Sequence, residues 1–244
     1  NGWLPELDAI PGPVADAAKL MWLNYPNNPT SAVATHEDLA AAVAYCREKD
    51  IALLHDAAYS EVGYEGYRAT SCMQVEGAKD VSLEFHSLSK TYNMTGWRFG
   101  MAVGNADMIK ALFQIKANLD SGIPQAIQQM AIEALTGSQD CVDANVEIYQ
   151  RRRDRVVKAL TTLGLTVDVP RASLYIWARI PEGFTSAELA ARLLEETDIV
   201  VTPGSSYGKY GEGYIRLSLT TPDEQVEKGC QRLESWKIPS PQGG

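Results

Sequence analysis

The chain has 244 residues, of which 45 % are hydrophobic and 22 % charged, which is the balance of a core-forming globular protein rather than a disordered one. Its 22 Lys and Arg against 31 Asp and Glu leave a net charge of −9, so nucleic acid is excluded as the expected partner and any anion needs a local basic site. No apolar run of about eighteen residues is present, so no membrane span is expected.

The chain opens Asn1-Gly2-Trp3, without an initiator Met or a signal-peptide pattern, and is expected either to have been trimmed or to begin partway through a longer protein. Lys19–Leu23 reads as a short buried strand that stops at the turn-rich Asn24-Tyr-Pro-Asn-Asn-Pro-Thr-Ser31. Thr35 with Asp38 forms a capping-box signature, and Leu39, Ala42, Val43 and Cys46 keep helical spacing to about Lys49. Further strands are predicted at Ile51–Leu54, Val81–Phe85 and Gly100–Val103, with a helix from about Ala106 to Lys116. Strand and helix in alternation predict an α/β fold with a largely parallel sheet, whose ligands sit beyond the carboxyl ends of the strands. Asn28, Asp56 and Ser87–Lys90 all fall just past such ends.

From Pro124 onward helices are predicted at Ile127–Leu135 and Val142–Leu163, the second carrying Arg151-Arg152-Arg153 as a solvated basic face. Short strands at Ser173–Arg179, Ile199–Val201 and Tyr214–Ser218 then interleave with helices near Ser186–Glu195 and Asp223–Trp236. The expected organisation is an incomplete large domain over residues 1–140 and a smaller C-terminal α+β domain over 141–244, with a soft boundary near 137–145. A frayed Pro241–Gly244 tail is expected. Four scattered cysteines without a C-x-x-C pair read as free thiols of a cytoplasmic protein, and three histidines without ligand spacing argue against a metal site.

The chemistry concentrates around Ser87-Leu-Ser-Lys90 and Gly96-Trp-Arg98. Ser87, Ser89 and Arg98 combine hydroxyl donors with a bidentate guanidinium, the set a phosphate dianion needs. A lysine beside a phosphate ester points to a Schiff base with pyridoxal phosphate. That cofactor requires a carboxylate at its ring nitrogen, and Asp56 stands at a strand end to provide it. Tyr59 and Asn28 are candidates for its phenolic oxygen. Arg216, inside the apolar strand Tyr214–Ser218, is either one half of a structural salt bridge or a grip on a substrate carboxylate. The same Ser87-Leu-Ser-Lys90 also fits the S-x-x-K pattern of serine acyl-enzymes, although S-D-N and K-T-G are missing.

Asn24–Thr30, Asp56-Ala-Ala-Tyr59, Ser87–Arg98, Pro203–Gly208 and Gly213–Ser218 occur in an order that resembles the fold-type-I, class I/II pyridoxal-phosphate aminotransferases over nearly the whole chain. Around Lys90 the wording is most similar to the LL-diaminopimelate and aspartate-type members. The resemblance implies Lys90 as the Schiff-base lysine, Asp56 at the pyridine nitrogen, and Tyr59 and Asn28 at the phenolic oxygen. It further implies Ser87 and Arg98 at the phosphate, and Arg216 with Asn28 at the substrate. It implies ping-pong transamination between an amino acid and a 2-oxo acid, and a homodimer. Two departures stand out: Ser31 replaces the family's Gly after Asn-Pro-Thr, and the family's upstream segment, with its phosphate loop and stacking aromatic, has no counterpart here. The alternative expectation is therefore a truncated domain of the same fold with impaired turnover.

Overall fold

The structure is a computed structural model that describes residues 2–238, so the Pro241–Gly244 tail lies outside the described residues. The chain divides into two compact units, Asn1–Asn27 with Ala32–Asn145 and Asn28–Ser31 with Val146–Gly244. The division on the C-terminal side falls inside a long helix.

In the first unit a short helix α1 (Gly12–Ala17) precedes strand β1 (Leu20–Asn24) and helix α2 (His36–Glu48). Strand β2 (Ala52–Asp56), a helical turn α3 (Ala78–Val81) and strand β3 (Ser82–Ser87) follow. A second single turn, α4 (Leu88–Thr91), leads to β4 (Gly100–Gly104), α5 (Ala106–Leu119) and α6 (Gln125–Thr136). The sheet order is β1-β2-β3-β4, with β1, β2 and β3 parallel and β4 antiparallel to β3. The segment between β3 and β4 holds only one-turn helices, too little to carry the chain back for a parallel return. Helix α2 starts as its sequence dictates. The Thr35 side chain accepts from Asp38 N, and Asp38 Oδ2 accepts from Thr35 N.

Because alternate strand residues face opposite ways, the register sorts β2 and β3 into two faces. His55 pairs with Glu84 and Leu23, which puts these residues on the side that builds the core with Leu39, Ala42, Val43 and Cys46 of α2. Asp56 pairs with Phe85 and Asn24, on the opposite side, where Phe85 stacks on Trp22 with ring centroids 5.7 Å apart.

In the second unit α7 (Asp140–Leu163), which begins in the first, leads to β5 (Thr166–Val167), β6 (Tyr175–Arg179) and α8 (Ser186–Thr197). Strands β7 (Thr202–Pro203) and β8 (Tyr214–Ser218) and helix α9 (Asp223–Ser235) complete it. The antiparallel order is β5-β6-β8-β7. Ile176, Ala178 and Ile215 are fully buried on one face, which alternation separates from Tyr175, Trp177, Tyr214 and Arg216.

Two expectations need correction. Ile199–Val201 is not a strand: Asp198 ends α8 in the left-handed region, Val200 is exposed, and pairing with β8 begins only at Thr202. Nor is Arg151-Arg152-Arg153 a single solvated face, since successive helical residues point about 100° apart. Arg151 is exposed, Arg152 pairs with Asp223, and Arg153 is buried, donating to Pro170 O at 2.9 Å.

Candidate active site

The first unit holds six of the predicted residues: Asp56, Tyr59, Ser87, Ser89, Lys90 and Arg98. Asp56 closes β2, and Ser87 closes the neighbouring β3 on the same sheet face. Asp56 Oδ1 accepts from Ala58 N at 3.3 Å, a bond that orients the carboxylate at the strand end. Ser87 caps α4, its hydroxyl accepting from Ser89 N at 3.2 Å. Lys90 lies in that same turn, and its Nζ stands 5.9 Å from the centroid of the Tyr59 ring. Gly100 pairs with Ser87, and Leu88 N donates to Phe99 O, so the antiparallel return carries Arg98 back beside the serines.

Arg98 has φ of +53°, a left-handed conformation that is strained for a residue with a Cβ. Its Nη1 donates to Thr95 O at 2.9 Å, while the Thr95 hydroxyl donates to Ser89 O at 3.1 Å. These bonds fix the loop that bears the guanidinium. Among the described residues neither Lys90 nor Arg98 has an acidic ion-pair partner, in a chain with nine more acidic than basic groups.

On the far side of β2 and β3 lies a network that inspection of the sequence missed. Glu84 Oε2 stands 3.0 Å from His55 Nδ1, and Oε1 stands 2.8 Å from His86 Nε2. The Ser71 hydroxyl donates to Oε1 at 2.7 Å, and Cys72 N donates to Oε2. Burial alone would raise the Glu84 carboxyl, but the hydrogen bonds from His55, His86 and Ser71 outweigh it and hold it well below the usual carboxylate range. The network ties together the two strands that end in Asp56 and Ser87. The alternation of His55, Glu84 and His86 on apolar strands was its only sequence signal.

The second unit holds Asn28 and Arg216. Arg216 Nη1 donates to Asn28 Oδ1 at 2.9 Å, and Nη2 lies 3.4 Å from Thr202 Oγ1. No carboxylate pairs with it among the described residues, so the salt-bridge reading of Arg216 falls. Its guanidinium carbon instead lies 4.2 Å from the Tyr175 ring centroid and 5.3 Å from that of Tyr207. Ser31 adopts the left-handed φ of +58° that glycine takes freely, and its hydroxyl donates to Tyr175 O at 2.7 Å. The departure from Gly therefore keeps the backbone turn and adds a tether.

The family model for aminotransferase class I and II matches residues 4–233. The chain belongs to the class I and II aminotransferases. Among similar proteins, an LL-diaminopimelate aminotransferase of Dehalococcoides mccartyi is 58 % identical over 237 residues, covering 97 % of this chain and 61 % of that protein. The apo structure of BacF from Bacillus subtilis superposes with a TM-score of 0.91 at 37 % identity, covering 96 % of this chain and 63 % of that one. The structure of a probable N-succinyldiaminopimelate aminotransferase from Thermus thermophilus gives 0.89 at 35 % identity, over 95 % and 62 %. This chain thus spans about 61 % of the length of the curated relatives it matches. Membership removes the serine acyl-enzyme reading of Ser87, whose oxygen serves as a helix cap.

This family is pyridoxal-phosphate-dependent. The residues of the first unit fit that cofactor: an amine without an anionic partner beside a tyrosine ring, a guanidinium answered only by a backbone carbonyl, and a strand-end carboxylate. In this aminotransferase chain no helix among the described residues is long and apolar enough to cross a membrane.

Proposed function

We propose that this chain carries the cofactor-holding and substrate-holding residues of an aminotransferase that moves an amino group between an amino acid and a 2-oxo acid. The amino acid is of LL-diaminopimelate or aspartate type, a reading supported by the 58 % identity to a relative named LL-diaminopimelate aminotransferase. The first unit is then the C-terminal part of the cofactor-binding large domain, and the second is the small domain. The protein acts as a cytoplasmic homodimer, and its three buried free thiols accord with a reducing compartment.

The observation that carries this reading is Lys90, whose amine stands over Tyr59 with no acidic partner in the turn that follows β3. Pyridoxal phosphate, when bound, supplies an electron sink for the charge that develops at the substrate α-carbon. Lys90 would hold the cofactor's aldehyde carbon and, once released, would take a proton from the substrate α-carbon as general base and deliver it to that aldehyde carbon as general acid. Asp56 holds a proton at the ring nitrogen. Tyr59 and Asn28 donate to the phenolic oxygen. Ser87, Ser89 and Arg98 bind the phosphate, with charge-assisted bonds from the guanidinium. Arg216, steadied by Asn28, grips the substrate carboxylate.

An absorbance titration with pyridoxal phosphate tests the reading. A protein-bound visible band that is lost in Lys90→Ala is expected, and its conversion on addition of LL-diaminopimelate or aspartate tests the amino donor. A spectrum identical to that of the free cofactor overturns the assignment.

A further inference from the structure

One face of the small antiparallel sheet carries a continuous run of aromatic rings and guanidinium groups. The Arg179 guanidinium carbon stands 4.9 Å from the Tyr214 ring centroid, and Tyr214 stacks on Trp177 at 5.2 Å with an interplanar angle of 8°. Trp177 meets Tyr207 edge-on at 5.8 Å. Arg216 then lies over both Tyr207 and Tyr175, at 5.3 and 4.2 Å from their ring centroids. Strand alternation accounts for the row, because Tyr175, Trp177 and Arg179 share a face with their cross-strand partners Tyr214 and Arg216.

The groups around Arg216 have one property in common: none of its contacts is an anion. It meets two ring faces, an amide oxygen and a hydroxyl. Ring faces attract a guanidinium through their quadrupole without neutralising it, so the full charge stays available. The Nε of Arg216 is buried and has no hydrogen-bond partner among the described residues, leaving one donor unspent. A carboxylate partner in the protein would have quenched both.

Tyr207 is held in place by its backbone. It ends a single helical turn, Gly204–Tyr207, in a loop that folds back on itself. A Cβ on Gly204 would fall 1.9 Å from Gly211 O, and one on Gly211 would fall 2.1 Å from Gly204 O. Ser205 N donates to the buried Ser186 hydroxyl at 3.2 Å, which anchors the same loop to α8.

We infer that Tyr175 and Tyr207 are positioning residues that clamp the Arg216 guanidinium against their rings, orienting it without quenching its charge so that it can receive a carboxylate. The inference rests on the reading of Arg216 as the carboxylate grip.

The test uses the 244-residue chain labelled with 15N-arginine, the Arg216 Nε–H resonance being assigned by its loss in Arg216→Lys. In the ligand-free chain a narrow, slowly exchanging resonance is expected. Tyr175→Leu and Tyr207→Leu should speed its exchange with water about tenfold, and Tyr207→Phe, which restores the ring face, should restore the slow exchange. Titration with 2-oxoglutarate should shift the resonance saturably, with about tenfold weaker binding in the Leu variants and recovery in Tyr207→Phe. Leu variants that keep both slow exchange and full affinity overturn the inference. A resonance that answers to the ring variants but never to 2-oxoglutarate supports the clamp and overturns the carboxylate reading instead. If Tyr175→Leu loses its amide dispersion, Tyr207→Leu, at the more exposed of the two rings, decides alone.

Discussion

The Ser31 hydroxyl donates to the Tyr175 carbonyl at 2.7 Å, joining residues 144 positions apart. Three residues earlier, Asn28 Oδ1 accepts from Arg216, so both ends of the short Asn28–Ser31 segment are fastened to the small antiparallel sheet. The tether is part of the Arg216 site, because Tyr175 carries both the carbonyl that receives Ser31 and the ring that backs the guanidinium.

Two substitutions separate the strain of Ser31 from its tether. Ser31→Ala keeps the left-handed backbone and loses the hydrogen bond, and should cost about 1–2 kcal/mol of stability. Ser31→Gly also loses the bond but relieves a left-handed conformation worth about 1 kcal/mol, so it should fall within about 1 kcal/mol of the parent. Urea denaturation monitored by circular dichroism would measure both. Equal losses would mean that the backbone at Ser31 is not strained.

Glu84 makes the first unit acid-sensitive. Its folded pKa lies below its unfolded value, so the unfolded chain binds more protons at acidic pH. The stability it contributes is fully present above the ordinary carboxylate pKa of 4.5 and is lost as pH falls below that value. Glu84→Gln should destabilise the chain by about 3 kcal/mol at pH 7, because an amide is set against a cluster of donors. It should also flatten the dependence of stability on pH below about 4.5. Denaturation midpoints at pH 3.5 and pH 7 for both proteins would measure this. An unchanged acid slope would remove Glu84 as its source.

Arg98 provides a graded test of the phosphate assignment. Arg98→Ala should weaken pyridoxal phosphate binding about 10- to 100-fold, as expected for loss of bonds worth about 1.5–3 kcal/mol to a charged group. Arg98→Lys should recover only part of this, since a point charge lacks the bidentate fork. Fluorescence titration with pyridoxal phosphate and with phosphate-free pyridoxal would separate the contributions. The variants should lose their difference against pyridoxal.

Thiol chemistry should single out one cysteine. Burial pushes the Cys46, Cys72 and Cys230 thiols up to about 11, whereas Cys141 is exposed at the start of α7. One equivalent of iodoacetamide should react with the native chain at pH 7.5 and four with the urea-denatured chain, with Cys141 identified by mass spectrometry. Rapid labelling at Cys72 would contradict the tight packing between α2 and the sheet.

Much of the candidate site was legible because its signals are local. Asp56, Ser87, Lys90 and Arg98 each follow or flank an apolar run, and a strand end is fixed by which residues stop being buriable. The Thr35–Asp38 cap was readable for the same reason, since its bonds span three residues. The strand expected at Ile199–Val201 failed because apolarity there does not lead to pairing, and Val200 faces solvent. The arginine run failed because three adjacent residues were assigned one fate that helical geometry divides.

By itself the acidic composition established that any bound phosphate or carboxylate would have to be met by particular cations, and the motif spacing picked out Arg98 and Arg216 as candidates for those tasks. What each cation faces was decided only by tertiary structure. The register of β6 with β8 and the closure of the Gly204–Gly211 loop surround Arg216 with rings rather than carboxylates. The pairing of β2 with β3 likewise turned His55, Glu84 and His86 from scattered polar residues into one buried network beneath the strands that end in Asp56 and Ser87. Such contacts join residues far apart in the chain, and no local pattern of hydrophobicity or charge specifies which side chain a folded strand will set against another.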